Sequence, residues 1–160
     1  MPEYTITATT TASPEATFTL VSDFRRYPAL VPEVIVSLTV DHAGDPPSSE
    51  WAVRFHGGIL KWREHDTIDT SAHRIEFRQI DGDFAEFAGA WQVTGELDRP
   101  TRVTLNATFD LGMPAVADVL EPIAHRAFDD TMRALLTALL GPDTAFIQPS
   151  SAAQRPGVPA

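Results

Sequence analysis

Apolar and polar residues alternate through much of the chain, which is the two-residue period of half-buried β-strands. In residues 4–11, Tyr4, Ile6 and Ala8 alternate with threonines, a pattern rich in β-branched side chains. Six further strands are predicted, separated by turn residues, at 34–41, 50–56, 59–69, 74–81, 85–96 and 102–111. A two-residue turn at Gly57 and Gly58 joins the second and third of these six. Since the connections are short, neighbouring strands are expected to be antiparallel.

A short helical region follows the first strand. Ser13, Pro14 and Glu15 supply an N-cap, a proline at the first helical position and an acid in the first turn. Pro28 and Pro32 are predicted to break this region, leaving room for a second helical turn near residues 29–31. Two short helices are therefore expected after strand one.

A long helix is predicted over residues 114–140. Pro114 begins it, and Gly141 with Pro142 ends it. Apolar residues recur at spacings of three and four, so one face is expected to pack on a large surface. This stripe contains Val116, Val119, Leu120, Ile123, Ala127, Met132, Leu135, Leu136 and Leu139.

The order of elements predicts an α+β fold, with a curved seven-stranded antiparallel sheet wrapped around the long C-terminal helix. One helix covers only one face of such a sheet, so the convex face must be solvated or bound. The space between helix and sheet is the natural place for a ligand. Residues 1–142 are expected to form this single domain. Residues 143–160, rich in Pro, Ser and Ala, are expected to form a disordered tail.

Two short motifs sharpen this picture. The segment YPALVP at residues 27–32 resembles the Tyr-Pro-x-Phe/Leu-x-Pro segment of the polyketide cyclase/dehydrase and coenzyme Q-binding families. IDGDF at 80–84, running on to GAW at 89–91, is similar to their Asp-Gly-Pro-Phe and Gly-x-Trp stretch. Over residues 4–140 the chain thus resembles the START and Bet v 1-like (SRPBCC) superfamily. The resemblance implies a helix-grip fold and covers aromatase/cyclases as well as lipid and quinone carriers.

One strand departs from the aromatase/cyclase pattern. In those enzymes, the strand matching residues 59–69 carries an inward Trp, Ser and Arg at alternate positions, and a Tyr follows the helical turn. Here the three positions are Trp62, Glu64 and Asp66, and Val34 replaces the Tyr. The Arg/Tyr pair is missing, which weakens the expectation of that particular mechanism.

Glu64 and Asp66 are the candidate catalytic residues. They share a strand phase with Trp62, so they face the cavity if that tryptophan does. A buried carboxylate costs on the order of several kcal/mol unless it is paired or protonated, and a nearby like charge raises one pKa. Such a pair can take an α-proton from a β-carbonyl compound and return a proton to a departing hydroxyl. The alternative is that strand twist or a bulge exposes both acids.

Other side chains are assigned by the same alternation. Arg63 and His65 point to the convex face, and His65 is predicted to be a solvated surface residue. Among the remaining histidines, one is expected to be exposed, two to lie in loops and one at the cavity rim: His125, His42, His73 and His56. The predicted substrate-binding residues are the inward aromatic ones, which either line a pocket or fill the core: Phe55, Trp62, Phe77, Phe87, Trp91, Phe109 and, through its hydroxyl near the cavity mouth, Tyr27.

Composition narrows the classes of function. The 160 residues include 12 Lys+Arg and 22 Asp+Glu, and the net charge of −10 disfavours nucleic acid and anionic membranes as partners. There is no cysteine, and the five histidines are scattered, so neither a metal nor another cofactor is expected. No secretory signal and no run of about 18 apolar residues is seen, so no membrane span is predicted and the cytoplasm is the default compartment.

Three functions follow from these expectations. The first is a cyclase or cyclase/dehydratase acting on a polyketide-type intermediate, with Glu64 and Asp66 as acid/base groups. The second is a binding or carrier protein for a quinone, lipid or aromatic polyketide. The third is a protein-interaction partner, for example of a ribosome or an acyl carrier protein, through a basic patch that includes Arg25 and Lys61. The chain is expected to be a monomer or homodimer.

Overall fold

The fold is built on one antiparallel sheet. The computed structural model describes residues 3–55, 57–96 and 98–147, in which eight strands lie in the order β2-β3-β4-β5-β6-β7-β1-β8. The strands are β1 (Glu3–Thr10), β2 (Ile35–Asp41), β3 (Ser48–Phe55), β4 (Gly58–Asp69), β5 (Arg74–Gly82), β6 (Glu86–Thr94), β7 (Thr101–Asp110) and β8 (Ala145–Ile147). The helices are α1 (Pro14–Ser22), α2 (Tyr27–Leu30) and α3 (Ala117–Leu140), with 3₁₀ turns at Phe24–Arg26 and Pro114–Val116. This is the helix-grip architecture expected from the sequence, with one more strand.

Strand alternation separates a buried face from a solvated one. In β4, Trp62, Glu64 and Asp66 are buried, whereas the intervening side chains of Arg63 and His65 are exposed. The buried face packs on α3, whose residues Ala124, Leu135, Leu136 and Leu139 are also buried. The convex face therefore carries exposed charged side chains such as Arg63, and the concave face holds the core together with Glu64 and Asp66.

The helices after β1 form as the sequence signals require, with one difference. The Ser13 hydroxyl accepts a hydrogen bond from the Ala16 amide at 3.1 Å, and α1 starts at Pro14. Pro28, however, does not end a helix. It lies in the first turn of α2 (Tyr27–Leu30), where a backbone N–H would have no intrahelical partner, so its absence costs no hydrogen bond. The second short helix therefore starts earlier than residue 29.

The start of α3 differs from the predicted apolar stripe. Val116 and Val119 are 43% and 64% exposed and do not pack on the sheet. Val116 belongs to a separate 3₁₀ turn, and at 3.6 residues per turn Val119 lies about 160° around the helix from Leu135. The predicted stripe contains a step of five residues, from Ala127 to Met132, which turns it by about 140° around the helix and off the buried face.

The predicted tail contains an eighth strand. Ala145–Ile147 pairs antiparallel with β1, because the otherwise open edge of β1 offers unpaired backbone groups. Phe146 lies under the guanidinium of Arg133, 4.8 Å from the ring centroid, which ties this strand to α3. The prediction of a tail from residue 143 is thus wrong for residues 145–147, and the rest of it, 148–160, lies outside the described residues.

The β3–β4 hairpin turns one residue earlier than predicted. Phe55 pairs with Gly58, so β4 begins at Gly58 and the connection consists of residues 56 and 57. Gly57 has a φ of +85°, a conformation that glycine adopts without strain. His56 lies outside the described residues, and its placement at the cavity rim stays a prediction.

Candidate functional site

An apolar cavity lies between the concave face of the sheet and α3. It offers about 70 Å³ to the centres of water molecules, which corresponds to about five of them. The exposed or half-buried lining residues Arg54, Leu60 and Met132 place its mouth between the β3–β4 hairpin and the middle of α3. A ligand with several rings therefore needs side chains at this mouth to move.

Five of the seven predicted substrate-binding residues line this cavity: Phe55, Trp62, Phe77, Phe87 and Trp91. Contact with a ligand stays a prediction for them. The other two are placed elsewhere. Phe109 is fully buried with its ring 5.0 Å from that of Phe128, and Tyr27 is fully buried with its hydroxyl donating to the Val21 carbonyl. Strand phase identifies inward residues, but it does not tell which of them another side chain covers.

The sequence missed the contribution of α3 to the cavity. Ala127, Phe128, Thr131 and Met132 line it from the helix. Of these, Ala127 and Met132 belong to the apolar stripe, which could have identified them. Trp51, opposite Trp62 in the β3–β4 register, adds a stacked ring at 5.6 Å and 5° between planes.

Both candidate carboxyl groups are buried, with Glu64 3% and Asp66 1% exposed. Glu64 lines the cavity, and its Oε1 accepts a hydrogen bond from Trp62 Nε1 at 2.8 Å. Asp66 is not among the cavity-lining residues, although it is two positions further along the same face of β4. The two acids therefore occupy different places: one on the cavity wall and one away from it.

Asp66 is surrounded by hydrogen-bond donors. Its Oδ2 is 2.9 Å from His42 Nε2 and accepts from Ser49 Oγ at 2.6 Å. Ser49 Oγ in turn accepts from Trp51 Nε1 at 2.9 Å. Within the described part of the chain, the buried Asp66 Oδ1 has no hydrogen-bond partner, and a proton on Glu64 is the group that would complete it.

Burial raises the pKa of the Glu64 carboxyl well above its ordinary value. The neighbouring carboxyl group of Asp66 raises this pKa further, whereas the Trp62 donor lowers it in part. A raised pKa favours the protonated acid, since the charged form would lie in an apolar wall beside a second carboxylate. The pair therefore favours a single proton, with Glu64 as the member that carries it.

The sequence predicts His42 in a loop, where the structure has it, but does not predict its contact with Asp66. It follows β2 directly, and the 42–47 connection brings its ring to Asp66, while the Asp66 amide donates to the Pro47 carbonyl at 2.9 Å. No periodic signal reports such a loop contact. His65 and His125 are exposed, as predicted.

No group of three or more metal-ligating side chains occurs in residues 3–55, 57–96 and 98–147. In the same part of the chain, no helix combines the length and apolar character needed to cross a membrane. The candidate chemistry described above rests on the carboxyl pair and its donors.

Comparison with known proteins agrees with the fold. A family model described as polyketide cyclase/dehydrase and lipid transport matches residues 10–136. Among curated proteins, the ribosome association toxin RatA of Pseudomonas aeruginosa is 28% identical over 112 residues, covering 70% of this chain and 77% of the relative.

Solved structures share the architecture. The protein TTHA0849 from Thermus thermophilus superposes with a TM-score of 0.77 at 26% identity, over 86% of this chain and 94% of that one. The Zhui aromatase/cyclase of a Streptomyces species superposes with a TM-score of 0.70 at 16% identity, over 87% and 90% of the two chains. At that identity, the second similarity supports the fold alone.

Proposed function

Since the chain belongs to the polyketide cyclase/dehydrase and lipid transport family, we propose that it binds a flat, apolar polycarbonyl compound and cyclises or dehydrates it by acid/base chemistry. The reaction takes place in the cavity between the sheet and α3. Glu64 is the acid/base residue, and Trp62 and Trp91 hold the substrate. Asp66 sets the protonation of Glu64 and does not touch the substrate.

The observation that carries this proposal is a buried carboxyl group on an apolar wall, where burial raises its pKa. Glu64 lines a cavity whose other wall residues are mainly aromatic and aliphatic. An acid with a raised pKa keeps its proton near neutrality, which is the condition for general acid catalysis at that pH. A site that only bound apolar molecules would gain nothing from such a group, because burying it is costly.

In cyclisation, the enol form of one carbonyl unit attacks a second carbonyl carbon. Glu64 gives its proton to the oxygen of the attacked carbonyl, which becomes a hydroxyl as the carbon–carbon bond forms. The enol hydroxyl then gives its proton to the Glu64 carboxylate and becomes a carbonyl. Glu64 ends protonated as it began, and the product is an isomer of the substrate.

In dehydration, the same group acts in one turnover as acid and then as base. Glu64 protonates the departing β-hydroxyl, and the carbon–oxygen bond breaks to release water. The carboxylate takes the proton from the α-carbon as the double bond forms. One water leaves, and Glu64 is again protonated.

A carrier function is the second candidate, and the lipid-transport part of the family description favours it. In that case the Glu64 hydroxyl would donate a hydrogen bond to a ligand carbonyl without transferring its proton. The name of the Pseudomonas relative concerns association with ribosomes. For this chain, the net charge of −10 weakens contact with RNA phosphates, so we place the small-molecule role first.

The proposal is tested by incubating the protein with a synthetic linear poly-β-ketone thioester and following the products by liquid chromatography and mass spectrometry. We expect a cyclised isomer or a product lighter by one water, formed faster than in buffer and at the same rate by the control variant Glu86→Gln, which alters an exposed glutamate of β6. Saturable quenching of tryptophan fluorescence without any product would support the carrier instead. Absence of both would contradict either role.

A further inference from the structure

Two tryptophan N–H groups fix the direction of hydrogen bonds beside Asp66 and Glu64. An indole N–H only donates, so Ser49 Oγ must accept from Trp51 Nε1. The Ser49 proton is then available for Asp66 Oδ2, at 2.6 Å. Trp62 Nε1 likewise only donates, so Glu64 Oε1 must accept from it. The two tryptophans thus set the polarity of the network before any charge is assigned.

A proton on His42 Nε2 would make this residue a second donor to Asp66. Its Nε2 is 2.9 Å from Oδ2, the oxygen that already accepts from Ser49. An oxygen that accepts two such hydrogen bonds is best satisfied as part of an ionised carboxylate. The other oxygen, Oδ1, is buried and without a partner among the described residues, and a proton carried by Glu64 would satisfy it.

We propose that His42 is a positioning residue, which by donating to Asp66 holds that carboxylate ionised and leaves the single proton of the pair on Glu64, at the cavity wall. His42 does not line the cavity, and its ring packs against Phe24 at 5.2 Å between centroids. It acts on the reaction through Asp66. The inference rests on the proposed function and names the group that prepares its acid.

The position of His42 also gives the buried pair a contact with solvent. Its side chain is 18% exposed, whereas that of Asp66 is 0% exposed. The residues of this arrangement lie in two short segments of the sequence, H-x₆-S at 42–49 and E-x-D at 64–66.

The test compares two substitutions of His42. His42→Leu removes the donor and keeps an apolar contact for Phe24, whereas His42→Gln retains an amide N–H that reaches about as far as Nε2. Protein labelled with ¹³C at the Glu Cδ and Asp Cγ carbons is studied by NMR at neutral pH, with Glu64→Gln and Asp66→Asn to assign the two signals. In the wild type and His42→Gln, we expect a protonated Glu64 and an ionised Asp66. In His42→Leu, we expect proton density to move to Asp66.

Turnover supplies the second readout. His42→Leu is expected to lower kcat by roughly tenfold or more, since Glu64 is no longer held protonated. KM should change little, and His42→Gln should recover most of the rate. Unchanged carboxyl signals in His42→Leu overturn the inference. If that variant does not fold, Ser49→Ala removes the other donor and is read by the same signals. Because the NMR experiment needs no substrate, it tests the inference even if the wild type shows no turnover.

Discussion

Replacement of Glu64 by glutamine is expected to lower turnover by roughly 10²- to 10⁴-fold, the range that a positioned acid/base group contributes. Glutamine has nearly the shape of a protonated glutamic acid, and its amide oxygen can still accept from Trp62 Nε1, the partner of Glu64 Oε1. What it lacks is an exchangeable acidic proton. Binding of the substrate should therefore change far less than its conversion.

The measurement is kcat and KM for the poly-β-ketone thioester, together with ligand affinity from quenching of the Trp51–Trp62 stack. Glu86→Gln serves as the matched control, since it makes the same chemical change on an exposed side chain. A Glu64→Gln protein with full kcat would remove Glu64 from the chemistry. A protein that loses affinity and keeps kcat would assign Glu64 to binding only.

Replacement of Phe109 by alanine is expected to lower the free energy of unfolding by about 3–5 kcal/mol, the usual cost of deleting a large buried aromatic side chain. Phe109 is fully buried on β7, against Phe128 of α3. It does not line the cavity, so the ligand affinity of the folded protein should stay the same. The structure thus assigns to Phe109 a role in stability that the sequence could not separate from ligand contact.

Urea unfolding followed by circular dichroism measures the loss, and Leu60→Ala is the control. Leu60 is half-buried and lines the cavity, so its removal should cost clearly less stability and weaken binding of an aromatic probe more. A Phe109→Ala protein that kept its stability but lost affinity would place Phe109 on the cavity wall after all.

The fold was largely predictable because it depends on local patterns. Strand alternation, the Ser13 cap and the Gly141 stop are short-range signals, and the buried phase of Glu64 and Asp66 follows from the two-residue period. Strand β7, which the alternation predicts at 102–111, is observed at Thr101–Asp110, a shift that is ordinary at the ends of elements.

The predictions failed at features that leave no periodic pattern in the sequence. β8 forms because β1 has an open edge, and Val119 is exposed because the five-residue step from Ala127 to Met132 separates it from the buried face of α3. The contact of His42 with Asp66 joins a loop residue to a strand residue 24 positions away. Such pairs are set by the sheet register and by the course of the β2–β3 connection. The two acids of the candidate site could therefore be found from the sequence, whereas the placement of His42 beside Asp66 could not.

The central claim is that Glu64 keeps its proton in the folded protein at a pH where an unfolded glutamate has lost it. Below the ordinary glutamate pKa, the group is protonated in both states and its contribution to stability is complete. As pH rises from there toward the raised folded-state pKa, only the unfolded chain releases the proton, and stability falls by up to about 1.4 kcal/mol per pH unit for one such group. The fall ends once the folded protein also releases it.

The most direct measurement is the free energy of unfolding as a function of pH, from urea titrations of the wild type and Glu64→Gln. Other titrating groups are common to both proteins, so the difference between the curves reports Glu64 together with its coupling to Asp66. We predict that the variant gains stability relative to the wild type as pH rises above the ordinary glutamate range. Curves that run parallel, or a wild type that gains relative to the variant, would contradict a protonated Glu64 in the cavity wall.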